Sequence, residues 1–68
     1  MRYDLYINDD VHTASDDLGI VQMSQQRLLK EVSLMNEIAK LVPKIEVRIY
    51  DNLECETISS NLKEGKNQ

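Results

Sequence analysis

Cysteine and proline each occur once in the 68 residues, glycine twice, and phenylalanine and tryptophan not at all. A lone thiol, Cys55, makes no internal disulfide, and a single histidine leaves no Cys/His set for a structural zinc, so a reducing, cytoplasmic setting is expected. With tyrosine as the one aromatic type, present three times, the core must be aliphatic and thin, which makes a stable lone monomer doubtful. Two glycines, Gly19 and Gly65, lie too far apart for a loop that cradles phosphate. Basic residues number eight against twelve acidic, a net charge of −4, the wrong sign for a protein that lives on nucleic-acid phosphates. No apolar run approaches the ~20 residues that span a bilayer. The segment after Met1-Arg2-Tyr3-Asp4 alternates instead of forming an apolar stretch, so neither a signal peptide nor a membrane span is expected.

What is present divides unevenly. Residues 1–20 hold five Asp against one Arg, residues 21–50 hold five basic against three acidic side chains, and residues 51–68 hold four acidic against two Lys. Tyr3, Leu5 and Ile7 alternate with polar neighbours, the period-two pattern of a half-buried strand. Residues 8–23 are rich in Asp, Ser and Thr, whose side chains compete for backbone hydrogen bonds, and read as an acidic loop.

From 24 to 42 the spacing becomes helical: Leu28, Val32, Met35, Ala39 and Val42 step by four and three, with Leu34, Ile38 and Leu41 in a second row. Ser24 is the expected N-cap and Met23 with Leu28 a hydrophobic staple, while Pro43 stops the helix. Arg27 and Glu31 read as an i,i+4 pair. A second strand is expected over 44–50, with Ile45, Val47 and Ile49 on its apolar side. A third is expected over 53–58. A three-residue loop at 50–52, with Asn52 left-handed, pairs Ile49 with Leu53 and Val47 with Cys55 and turns that thiol into the core. The expected fold is a single α+β domain over 1–58, β-α-β-β in order, with one helix on a three-stranded mixed sheet. Residues 59–68 read as a flexible tail.

Catalytic chemistry is not expected. His12 lies in the polar stretch without a second base, and a core Cys55 is a poor nucleophile. Asp9, Asp10, Asp16 and Asp17 lack the alternating spacing of a calcium loop, so no metal or other cofactor is expected. The same four carboxylates are a candidate partner surface, a decoy for the basic groove of a nucleic-acid-handling protein. A solvated acidic loop that keeps the chain soluble is the simpler reading of them. Tyr6, Glu46, Arg48 and Tyr50, all on the outward side of their strands, are a second candidate surface, with the tyrosines as anchors. Two readings of the helix stay open: burial against its own sheet, or a homodimer seam along Leu28, Val32, Met35, Ala39 and Val42. Direct nucleic-acid binding is disfavoured, because Glu31 and Glu37 interrupt Arg27, Lys30, Lys40 and Lys44 and no aromatics interleave.

The opening Met1-Arg2-Tyr3-Asp4-Leu5-Tyr6-Ile7, the central helix and Pro43-Lys44-Ile45-Glu46-Val47-Arg48-Ile49 resemble the DNA-damage-inducible protein I (DinI-like) family over about a third of the chain. The resemblance implies a small α+β domain that modulates a recombinase filament. The chain departs from the family's pattern in its longer segment at 8–23. It also lacks, at 59–68, the acidic, aromatic-containing final helix through which that family engages its target, so binding by that helix does not carry over. Together these features lead to the expectation of a small acidic protein that binds and regulates or inhibits another protein, a nucleic-acid-handling host protein being the favoured target. The size and mild acidity match the short regulators that phages and mobile elements carry. A structural subunit acting through homodimerisation or sheet-edge docking is the alternative.

Overall fold

Alternation at the start of the chain does produce a strand, and it becomes the hub of the molecule. In the computed structural model, which describes residues 1–39 and 45–62, the elements are β1 (Tyr3–Ile7), β2 (Asp10–Ser15), α1 (Leu18–Ala39), β3 (Val47–Asp51) and β4 (Glu56–Ser60). The four strands form one antiparallel sheet in the order β2-β1-β3-β4, and α1 packs across one of its faces. The α+β class and the single helix are as expected. Three strands and a mixed sheet are not.

The difference comes from β2. Asn8 adopts a left-handed conformation (φ 56°), which Asn tolerates, and with Asp9 it turns the chain so that Ile7 pairs with Asp10. Residues 8–23 are therefore a hairpin strand and the start of the helix, not a loop. The added strand reverses the chain, so β3 returns antiparallel to β1, and the crossover helix joins β2 to β3, which run parallel with β1 between them. His12 is the extra residue of a bulge between the Leu5–Thr13 and Tyr6–Val11 pairs.

The helix begins six residues earlier than Ser24. Asp17 caps it: its carboxylate accepts the Gly19 N–H at 2.9 Å, and its carbonyl accepts the Ile20 N–H at 3.1 Å. Leu18, Val21, Gln25, Leu28, Leu29 and Val32 then face the sheet, with Leu5, Val47 and Ile49 meeting them from β1 and β3. Val32 is 4% exposed and Leu28 packs on the core, so neither lies on a free seam. Met35 lies on the flank, 48% exposed. Ala39 is the last helical residue, and Val42, Leu41 and Pro43 fall outside the described residues.

At the second hairpin the turn is four residues, 52–55, and Cys55 rather than Asn52 takes the left-handed position (φ 55°). Ile49 thus pairs with Ser59, Tyr50 with Thr57 and Asp51 with Glu56. Cys55 is exposed, not in the core. Ser59 and Ser60, read as tail, belong to β4; residues 63–68 lie outside the described residues.

Asp51 explains this turn. Only 3% exposed, it takes Arg2 in a two-pronged ion pair (Nε to Oδ1 3.0 Å, Nη2 to Oδ2 2.9 Å) and accepts the Leu53 and Glu54 N–H groups at 2.9 and 3.3 Å. Asn52 completes the clasp, its N–H donating to the Arg2 carbonyl at 2.8 Å and its Nδ2 to Asp4 Oδ2 at 3.0 Å. At the other end of the sheet the chain entering β3 is held by neutral amides. Asn36 binds both the N–H and the C=O of Ile45 (2.9 and 3.0 Å), and Asn61 accepts the Val47 N–H at 2.7 Å and donates to the Ile45 carbonyl at 3.1 Å. Between them the buried Gln25 donates to the Val47 carbonyl at 3.1 Å and accepts Ser59 Oγ–H at 3.3 Å.

Candidate functional site: the open face of the sheet

Period-two geometry puts Leu5, Val47 and Ile49 under the helix and their neighbours on the opposite side. Among the described residues no element covers that side. Two rungs cross all four strands there: Val11, Tyr6, Arg48 and Ser60, then Ala14, Asp4, Tyr50 and Thr57. Tyr6, Arg48, Tyr50 and Glu46 are therefore brought together, as the strand pattern anticipates.

Arg48 is tightly placed. Its guanidinium carbon lies 4.4 Å from the Tyr6 ring centroid, and Nη1 donates to the Asn8 carbonyl at 2.8 Å and meets Glu46 Oε1 at 3.5 Å. Glu46 is oriented in turn by Ser60, whose hydroxyl donates to Oε2 at 2.6 Å, and its backbone exchanges hydrogen bonds with Asn8. Burial, with Cys55 close by as the next cause, pushes the Tyr50 hydroxyl above its ordinary pKa. The arrangement is a fixed cation over the half-buried Tyr6 ring, with the half-buried Tyr50 two residues along the same strand face and the solvent-exposed Val11 beside Tyr6. Sequence reading misses Asn8, Ser60 and Val11 here. The positional signal for Asn8 was its place after an alternating run, whereas Ser60 reaches Glu46 across fourteen residues with no local pattern to mark it.

The four aspartates do not form one surface. Asp9 and Asp10 are exposed at the β1–β2 turn, and Asp10, level with Ile7, lies on the helix side of the sheet, opposite to Tyr6 and Arg48. Asp16 and Asp17 lie at the far end of that hairpin and are engaged in structure, Asp16 accepting the Arg2 N–H at 2.8 Å and Asp17 capping the helix. Among the described residues no three His, Cys, Asp or Glu side chains stand close enough to hold a metal ion. His12 is exposed at the bulge, and no described helix is long and apolar enough to cross a membrane.

The fold and site define a class, a small ββαββ domain with one helix-covered and one open sheet face. No protein-family model, curated protein or solved structure matches the chain.

Proposed function

We propose that this chain is a small protein-binding regulator that docks the open face of its sheet onto a partner protein and acts by occupying that partner's surface. The observation that carries the reading is the Tyr6–Arg48–Tyr50 face, because tyrosine and arginine are over-represented among residues that dominate binding energy, and here Arg48 is already held by the Tyr6 ring, the Asn8 carbonyl and Glu46. Asp9 and Asp10, exposed at the turn that ends the β1–β2 hairpin, add negative charge near the edge of this face, and favour a partner with basic surroundings, the surface that a nucleic-acid-handling protein presents.

The test is capture of partners by the tagged chain from nuclease-treated lysate of its source cells, comparing wild type with Tyr6→Ala, Tyr50→Ala and Arg48→Ala. Each variant is first shown to be folded by circular dichroism. A partner held by wild type and lost with any of the three supports the face, with each truncation costing about 1–3 kcal/mol of binding. Asp9→Asn with Asp10→Asn should weaken binding mainly at low salt. Capture indifferent to all three face substitutions contradicts the reading.

A further inference from the structure

The sheet-facing side of α1 accounts for one row of its apolar residues and leaves another in water. Ile20, Met23, Leu34 and Ile38 are all more than half exposed, Ile38 at 71%, and at about 100° per residue they fall within about 60° of one line along the helix, opposite the buried row. In the middle of that line stand Arg27 and Glu31, both exposed. Among the described residues the ion pairs are Arg2–Asp51 and Arg48–Glu46, so Arg27 and Glu31 do not neutralise each other within the chain.

This pattern is self-complementary. Lay a second helix antiparallel on the first, with the two-fold axis at the level of Leu29, and Ile20 meets the level of Ile38 in the second copy, Arg27 that of Glu31, and Leu34 comes within one residue of the level of Met23. A two-fold interface requires the same patch to serve on both sides, and aliphatic ends around a centre of opposite charges meet that requirement. The reverse, parallel pairing sets like charges level with each other. We propose that the outer face of α1 is the contact between two copies of this chain, packed antiparallel along about 27 Å of helix from Ile20 to Ile38. The seam is the exposed row, not the Leu28–Val32 row, which the sheet already uses. It leaves the open sheet face of each copy free, so it stands whether or not that face binds a partner.

Sedimentation equilibrium of the full chain tests it. Wild type associates to a dimer at micromolar concentration. Arg27→Glu alone and Glu31→Arg alone each weaken self-association about tenfold, because every contact at the centre of the seam becomes repulsive. An equimolar mixture of those two single variants associates again, and so does the double variant. The mixture separates contact between copies from any effect inside one helix. Leu34→Glu, an exposed position, abolishes the dimer while the chain stays folded by circular dichroism. A wild-type monomer at about 100 µM overturns the proposal. So does a dimer indifferent to Leu34→Glu and to both charge reversals, or a mixture that associates no better than its components.

Discussion

The two ends of the β1–β3 pairing solve the same problem in opposite ways. At the Tyr3–Asp51 end an ion pair and a buried carboxylate tie the N-terminus to the β3–β4 turn. At the Ile7–Val47 end the side-chain amides of Asn8, Asn36 and Asn61 hold the strand's entry. Both ends satisfy backbone groups that no neighbouring strand reaches, which a sheet of five- and six-residue strands on a thin core cannot leave bare. What the difference teaches is that one end hangs on a buried carboxylate, which answers to pH, whereas the amide bonds that hold the other end carry no titratable group.

Asp51→Ala is the sharpest way to break the charged end, since it removes two bonds to Arg2 and two to the turn at once. It should cause the largest loss of melting temperature of any single polar substitution. Asp51→Asn keeps the shape and the turn acceptors, and should lose less. Acid acts on the same group. The Arg2 guanidinium holds the Asp51 carboxyl at about 2, below its ordinary 3.8, and the turn N–H groups reinforce this against burial. A carboxylate that ionises more readily when folded contributes stability above its unfolded pKa and loses it as pH falls through the folded one. Melting temperature should therefore drop between pH 4 and pH 2 in wild type, and that part of the drop should vanish in Asp51→Asn. Asn61→Ala breaks the neutral end, leaving the Val47 N–H without its acceptor at a cost of about 1–2 kcal/mol. Urea unfolding of that variant should show the same decrement at pH 7 and pH 3. A decrement that changes with pH would erase the contrast between the ends.

How much of this was legible in the sequence follows from the range of each interaction. The alternating faces of β1 and β3 and the class of the fold could be read, because period-two burial is local, and the same alternation put Tyr6, Arg48 and Tyr50 on one outward face. The edge strand β2 could not. Asp10, Val11 and His12 are exposed, and its identity rests on the left-handed turn at Asn8, which lacks the glycine that usually announces a hairpin. The helix start was hidden by Gly19, a poor helix former that the Asp17 cap accommodates. Which of its rows faces inward stayed open because both are aliphatic, and only the sheet's position decides between them. The register of the second hairpin depends on Arg2, 49 residues from Asp51, and no spacing rule reaches that far. For the same reason the acidic surface read as one patch is two, separated by the length of a hairpin the sequence did not announce.

The central claim is that the open sheet face meets a foreign protein, and photo-crosslinking in the source cells tests it most directly. A photo-activatable phenylalanine analogue is placed at Tyr50 in one variant and at Met23, on the outer helix face, in another. Adducts to a foreign protein from the Tyr50 position, with none from Met23, are the predicted result. Foreign-protein adducts from Met23 and none from Tyr50 would contradict it, and would move the binding surface to the helix.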